Sequence, residues 1–136
     1  MKKVLIIGSG NIALRHFKNI SKLKNETEIK IFKRFSSIKN VPYRLRRNII
    51  FDIENVVNFN PNYILICSPS SIHVNDINKF YNLFPNSRLF CEKPLTNKFK
   101  KIKKLNPKLK NKLYIGYQLR FNKLILKLRS IIKNKN

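Results

Sequence analysis

The feature that most constrains the fold is a glycine turn near the start of the chain, in the stretch "LIIGSGNIALRHF" at residues 5–17. An unbroken apolar run precedes Gly8 and Gly10, as in a strand of a parallel sheet that is covered on both faces. A segment of helical periodicity follows, and Ala13 stands near its beginning. Two closely spaced glycines and a small residue, set between a strand and a helix, form the fingerprint of a dinucleotide-binding turn.

Each position of this pattern has a physical reason. The first glycine permits a tight turn, the second lets a pyrophosphate approach the backbone, and the small third residue lets the helix and strand pack closely. Amide groups at the start of the helix, near Asn11 and Ile12, would then face the phosphates. A glycine-rich turn that binds no ligand is the alternative, but the flanking strand and helix favour the phosphate site.

The rest of the chain alternates between strand-like and helix-like segments. This alternation predicts an α/β fold with a doubly wound, mostly parallel sheet in a Rossmann-like, three-layer domain. The predicted strands cover residues 2–7, 28–32, 48–51, 63–67, 87–91 and 113–117. The predicted helices cover residues 11–24, 73–84, 96–105 and 121–134. The last helix has an apolar stripe, which we expect to dock on the chain's own sheet, with a partner chain as the alternative.

The carboxyl ends of the predicted strands locate the candidate site. In a parallel sheet, ligands bind outside these ends, near the point where the strand order reverses. The segments that follow the strands are residues 8–12, 33–34, 68–73, 92–94 and 118–121.

The end of the second predicted strand bears on the choice of cofactor. An Asp or Glu at this position binds the ribose hydroxyls of NAD, but this chain has Lys33 and Arg34 there, while Glu26 and Glu28 stand at the strand's start. Two cations would complement the 2′-phosphate of NADP, so NADP is the preferred cofactor and NAD the second choice. The alternative is that a lysine-rich chain places cations there by chance.

Two other segments carry candidate chemistry. Lys93, between Glu92 and Pro94, can donate a proton to a substrate hydroxyl or carbonyl oxygen, and Glu92 can tune it. Pro94 would fix the turn, with a cis peptide as one way to do so. His73 could face a ligand or pack in the core. A surface turn is the alternative for residues 92–94.

The composition limits the other classes of function. The chain has 30 basic and 6 acidic residues, for a net charge of +24, which is typical of a nucleic-acid-binding protein. Abundant Lys, Asn and Ile instead indicate an A/T-rich coding sequence, and aromatic residues do not interleave with the basic stretches 33–47 and 98–112 as stacking platforms would require. We therefore expect no specific nucleic-acid partner.

The remaining counts predict a soluble, cytoplasmic protein. No apolar stretch is long enough for a membrane span, and the first apolar run ends too early for a signal peptide. Cys67 and Cys91 stand in apolar runs, which favours buried thiols over a disulfide. The two histidines, His16 and His73, give no metal-ligand spacing, so we predict no metal site.

Together these pieces resemble the Gfo/Idh/MocA oxidoreductases, a family that includes glucose–fructose oxidoreductase and inositol dehydrogenases. The stretches that match, in the family's order and spacing, are "KVLIIGSGNIALRHFKNI", "NYILICSPSSIHVNDI", "LFCEKPLT" and "LYIGYQLRFN". The resemblance covers most of residues 2–122 and implies a Rossmann domain that binds NAD(P). It also implies hydride transfer at a sugar, polyol or sugar-nucleotide carbon.

The resemblance also implies roles for individual residues. Lys93 would be the active-site lysine, with Glu92 beside the nicotinamide and Arg120 on the substrate side of the cleft. The other implied cofactor contacts are Gly8, Gly10, Asn11 and Ile12 at the pyrophosphate, and Ser68, Pro69 and His73 along the path from adenosine to nicotinamide.

The resemblance also implies a second domain, which we expect this chain to lack. Residues 1–120 would therefore form the NAD(P)-binding domain. Residues 121–136 would form an amphipathic helix, which could be the stub of a missing second domain. A truncated enzyme, inactive alone, and half of a split enzyme with a partner chain both remain open. The other functional alternatives are a non-catalytic NAD(P)H-binding or regulatory module and a basic nucleic-acid-binding protein.

Overall fold

Six short strands form one parallel sheet in the computed structural model, which describes residues 1–23, 26–34, 42–109 and 111–133. The strands are β1 (Lys2–Ile7), β2 (Thr27–Phe32), β3 (Ile49–Ile50), β4 (Tyr63–Ile66), β5 (Arg88–Cys91) and β6 (Leu113–Ile115). Their order is β3-β2-β1-β4-β5-β6, and every neighbouring pair is parallel. The predicted α/β fold is confirmed, and the strand order reverses between β1 and β4.

Helices occupy the connections between the strands. The α-helices are α1 (Asn11–Ile20), α2 (Ile53–Phe59), α3 (His73–Leu83) and α4 (Lys123–Lys133). Segments of 3₁₀ helix cover Tyr43–Asn48, Phe99–Lys104, Pro107–Leu109 and Gln118–Phe121. Two of the sequence-based helix boundaries fall at residues 24 and 134, which lie outside the described part of the chain.

Two of the predicted helices differ from the structure. The helix expected over residues 11–24 ends at Ile20, where the Ser21 hydroxyl donates to the Phe17 carbonyl oxygen at 2.7 Å. The α-helix expected over residues 96–105 is wrong: a 3₁₀ segment forms at Phe99–Lys104. Its sequence has only Phe99 and Ile102 as apolar residues, and both are exposed, so no buried stripe supports an α-helix there.

Helix α2 was not predicted from the sequence. Its N-cap is Asp52, whose carboxylate accepts a hydrogen bond from the Asn55 amide at 2.7 Å. This contact holds the pKa of Asp52 below its ordinary value. Seven residues with only Val56 and Phe59 buried are too few to produce a clear helical periodicity.

The two faces of the sheet are covered by different helices. On one face, α2 and α3 contribute buried residues that include Val56, Ile77 and Phe80, packed against β1, β4 and β5. On the other face, α1 packs through Ala13 and Phe17 against β1 and β2. Because β1 is buried on both faces, its apolar run is unbroken from Val4 to Ile7.

Helix α4 does not dock on the sheet. Every residue of α4 is exposed, including Leu124 at 71% and Ile132 at 62%. The expectation that its apolar stripe packs against the chain's own sheet is therefore wrong for the described residues. Among these residues, no helix has the length and apolar character needed to cross a membrane.

A core substitution tests this packing. Phe80 is fully buried, and its ring meets the Phe32 ring edge-on at a centroid distance of 5.8 Å. We expect Phe80→Ala to lower the free energy of unfolding by about 3–5 kcal/mol, because it removes a large side chain and leaves a cavity. Leu83→Ala, on the exposed side of the same helix, should change it by about 0.5 kcal/mol or less. Urea denaturation measures both, and equal losses would contradict the assigned packing.

Candidate functional site

The Gly8 turn is confined by the strands on either side of it. The Gly8 amide donates to the Phe32 carbonyl oxygen at the end of β2, at 3.0 Å. A Cβ at this position would lie 2.9 Å from the Cys67 carbonyl oxygen, just past the end of β4. Gly8 also has a φ of +107°, a backbone conformation that residues with a side chain rarely adopt. Only glycine therefore fits, and β1 ends in a turn between its two neighbours.

Gly10 is in a different situation. It is the N-cap of α1 with an extended backbone, and a Cβ there would meet nothing within 4 Å. No side chain caps the start of this helix, whose first residues are Asn11, which is exposed, and Ile12, which is half-buried. The space beside Gly10 and the amide groups of the first turn is therefore open to a ligand.

A cavity of about 780 Å³ opens beside this turn, between the ends of β1, β2 and β4. The predicted site residues that line it are Gly8, Gly10, Lys33, Arg34, Ser68 and Pro69. The far wall is formed by Ile72, which is the N-cap of α3, and by Asn75, Asp76 and Lys79 of that helix. The cavity lies at the reversal of strand order, where an open α/β sheet binds its ligands.

Asp76 joins the two strand ends that border the cavity, and sequence reasoning missed it. Its Oδ1 accepts a hydrogen bond from Nη2 of Arg34, and its Oδ2 accepts one from the Ser68 hydroxyl at 2.5 Å. The Asp76 side chain is 3% exposed, whereas that of Arg34 is 36% exposed. The one sequence signal is a rare acidic residue one helical turn after His73.

His73 lies behind the cavity wall and is not among the residues that line the cavity. It is buried, and its Nε2 lies 2.6 Å from the Ser68 carbonyl oxygen. Its Nδ1 lies 2.9 Å from the Pro94 carbonyl oxygen. The ring therefore connects the loop after β4 to the loop after β5, and a direct contact of His73 with a cofactor stays a prediction.

Glu92 and Lys93 follow β5 at the same edge of the sheet. Nε2 of His16, on α1, contacts Oε1 of Glu92 at 2.6 Å, and the His16 ring meets the Phe90 ring edge-on. The Lys93 amide donates to the other Glu92 oxygen at 3.2 Å, and the Lys93–Pro94 peptide is cis. Lys93 itself is exposed. The role of His16 as the partner of Glu92 was not anticipated from the sequence.

The two cysteines are free and buried beneath this edge. Burial, followed by the nearby negative charge of Glu92, raises the pKa of each thiol to about 12. Both are therefore protonated at neutral pH, and neither Cys67 nor Cys91 is suited to act as a nucleophile.

Arg120 lies apart from the cavity. It belongs to the exposed 3₁₀ segment after β6, and its guanidinium lies 5.9 Å from the centre of the Tyr117 ring. The structure thus gathers the glycine turn, Lys33, Arg34 and Ser68 around one cavity and places Lys93 beyond them. Residues 35–41 of the basic stretch lie outside the described residues.

Comparison with known proteins points to one family. The sequence profile GFO_IDH_MocA, described as "Oxidoreductase family, NAD-binding Rossmann fold", matches residues 2–117. No curated protein sequence matches the chain.

Solved structures share the fold at low identity. A scyllo-inositol dehydrogenase from Lactobacillus casei, with bound NAD(H) and scyllo-inositol, is 18% identical, with a TM-score of 0.76 over 98% of this chain and 41% of its own. A myo-inositol 2-dehydrogenase from Lactobacillus plantarum is 17% identical, with a TM-score of 0.77 over 98% of this chain and 41% of its own. A putative NADPH-dependent oxidoreductase from Desulfitobacterium hafniense is 16% identical, with a TM-score of 0.79 over 98% of this chain and 39% of its own. The chain thus spans about two-fifths of the length of these structures.

Substitution of the two glycines by alanine should lower stability by unequal amounts. We expect Gly8→Ala to lower the free energy of unfolding by about 2 kcal/mol or more, because of the left-handed backbone and the contact with the Cys67 carbonyl. Gly10→Ala should cost less than about 1 kcal/mol, because its Cβ has space and only a modest N-cap preference is lost. Thermal melting of both variants checks this, and equal destabilisation would show that the turn is built differently.

Proposed function

The chain belongs to the Gfo/Idh/MocA oxidoreductases and carries the NAD-binding Rossmann domain of that family, and from this premise we propose that it binds a nicotinamide dinucleotide at the carboxyl edge of its sheet. The observation that carries the proposal is the Gly8–Gly10 turn, which opens α1 beside the cavity at the reversal of strand order. In the whole enzyme, the bound dinucleotide would exchange a hydride with a hydroxyl-bearing carbon of a sugar or sugar nucleotide.

The residues around the turn fit a diphosphate. The unobstructed space at Gly10 admits a ligand close to the backbone, and the uncapped amide groups at the start of α1 provide donors. Asn11 and Ile12 hold these amides, while Ser68 and Pro69 border the cavity on the β4 side. The positive dipole end of a ten-residue helix favours a negative group there.

NADP is the preferred cofactor in this proposal, and NAD the alternative. Lys33 and Arg34 line the cavity where a carboxylate would bind the ribose hydroxyls of NAD. Lys79 adds a third cation on the α3 side. Both cofactors appear among the structural neighbours, in the NAD(H) complex of the scyllo-inositol dehydrogenase and in the name of the putative NADPH-dependent enzyme.

Lys93 is the proposed catalytic residue. As an amine it takes the proton of the substrate hydroxyl when the carbon is oxidised, and as an ammonium it returns the proton when a carbonyl is reduced. His16 holds Glu92 through a 2.6 Å contact, and the Glu92 carboxylate accepts a hydrogen bond from the Lys93 amide. These two contacts fix the turn that carries Lys93. Arg120 would meet the substrate from the far side of the cleft.

Catalysis by this scheme needs a second domain to close the site. Lys93 is exposed, and so is the apolar face of α4. We propose that a second domain, in this polypeptide or in a partner chain, covers these surfaces and supplies most of the substrate pocket.

The exposed Lys93 equally favours a second candidate, a domain that binds NAD(P)H without turning over a substrate. Turnover of a sugar by the protein with its partner separates the two. We place the protein in the cytoplasm.

The binding proposal is tested by titrating the protein with NADPH and NADH while following nucleotide fluorescence and thermal melting. At a concentration of one hundred times Kd, a bound dinucleotide should stabilise the protein by about 2.7 kcal/mol. Gly10→Ala should weaken binding by about tenfold or more, because its Cβ occupies the approach of the pyrophosphate. Asn19→Ala, exposed further along α1, is the matched control and should bind like the unmodified protein. Failure of the folded protein to bind either dinucleotide at about 1 mM would refute the proposal.

The cofactor preference has its own test. Lys33→Asp combined with Arg34→Ala should weaken NADPH binding by about tenfold or more and NADH binding much less, because only NADPH carries the 2′-phosphate. The protein's net charge of +24 attracts both nucleotides at long range, so a control must remove equal charge elsewhere. Lys100→Asp with Lys103→Ala does so on the exposed 3₁₀ segment. Equal weakening of the two nucleotides by the Lys33–Arg34 variant would overturn the assignment to NADP.

A further inference from the structure

We propose that Asp76 is a positioning residue for cofactor selection: it holds the Arg34 guanidinium at the cavity so that it favours the dinucleotide with a 2′-phosphate. The inference rests on the proposed function, because it concerns the same cavity. The selection between NADP and NAD was attributed above to residues at the end of β2 alone. The inference adds a residue of α3 that is forty-two positions from Arg34 in the sequence.

The contacts of Asp76 define its role. One carboxylate oxygen accepts a hydrogen bond from Arg34, just past the end of β2, and the other accepts one from the Ser68 hydroxyl, past the end of β4. Both strands flank β1, so the carboxylate bridges the cavity across the glycine turn. Among the described residues, no buried side-chain nitrogen or oxygen lacks a hydrogen-bond partner, so Asp76 is fully paired.

Ser68 is itself fixed from two sides. Its hydroxyl donates to Asp76, and its carbonyl oxygen lies 2.6 Å from Nε2 of His73. His73 and Asp76 are one turn apart on α3, and both are buried. The carboxylate therefore has a rigid support, and the guanidinium that it holds has a defined place at the cavity. A long arginine side chain without such a partner would have to be ordered by the ligand itself.

Whether Asp76 favours or opposes NADPH binding depends on which charged group the 2′-phosphate meets first. A carboxylate near a 2′-phosphate would repel it if the carboxylate faced the ligand. Here the Asp76 side chain is 3% exposed and that of Arg34 is 36% exposed. A phosphate that enters from solvent therefore meets the guanidinium first, with the paired carboxylate behind it. Since Arg has five N–H donors, contact with one carboxylate leaves donors for a phosphate.

NADH should depend much less on this pair. Its ribose presents a hydroxyl where NADPH presents a phosphate of about −1.5 to −2 charge, so a well-placed guanidinium gains little from it. The contacts at the glycine turn and the start of α1 are common to both dinucleotides. The ratio of the two affinities therefore isolates the role of Asp76, whereas general damage to the cavity would weaken both.

The test measures Kd for NADPH and NADH in Asp76→Asn, Arg34→Ala and the double variant, each as the full chain. We expect Asp76→Asn to lower the preference for NADPH over NADH by about fivefold, with Kd for NADH nearly unchanged. In the Arg34→Ala background, the same substitution should have no further effect on the ratio, because the residue through which it acts is gone. Glu54→Gln removes one exposed negative charge on α2 and is the matched control.

Loss of a buried carboxylate could prevent folding, so a second variant is included. Ser68→Ala keeps the Asp76 charge and removes one of its two supports, and it should lower the same ratio by a smaller factor. An increased preference for NADPH in Asp76→Asn would mean that repulsion dominates and would overturn the inference, as would a full effect in the Arg34→Ala background. An unchanged ratio in the folded variants would also overturn it while leaving the proposed function intact. Failure of the unmodified protein to bind either dinucleotide would instead refute the proposed function.

Discussion

The close contact of Gly8 with the end of β4 is the constraint on which the rest of the site depends. β1 lies at the centre of the sheet, and its chain must leave the sheet in the space beside the Cys67 carbonyl, where no Cβ fits. This turn sets the start of α1, which leaves Gly10 facing open space. The reversal of strand order then leaves a cavity between the strands on either side. A bulkier residue at position 8 would disturb all of these features together.

Paired acidic residues hold the loops around this turn. Of the six acidic residues in the chain, Asp76 and Glu92 lie at the carboxyl edge, and each contacts a partner from another element. A buried carboxylate is costly unless it is paired, so these contacts stabilise one arrangement of the loops. The many exposed lysines impose no such requirement. The electrostatics of the site therefore depend on a few specific pairs, although the surface charge is large and diffuse.

Sequence reasoning was most successful where a residue's environment is uniform along a segment. β1 and β4 are short apolar runs because both faces are covered, and α3 has a clear buried stripe, so all three were predicted. It failed where local structure has little periodicity, as in the two-turn helix α2 and the 3₁₀ segment at Phe99–Lys104. It also failed for α4, because an apolar stripe indicates that a face needs covering and does not say what covers it.

The sequence by itself determined the succession of the six strands, the parallel sheet and the segments that follow each strand, because these depend on local apolar patterns and on the glycine turn. It also placed Gly8, Lys33, Arg34 and Ser68 at one edge, where the structure gathers them around the cavity. Only the tertiary structure decided which side chains meet there. Arg34 and Asp76 are 42 residues apart, and His16 and Glu92 are 76 apart. Such pairs form only when strand order and helix packing bring distant segments together, which no local pattern records.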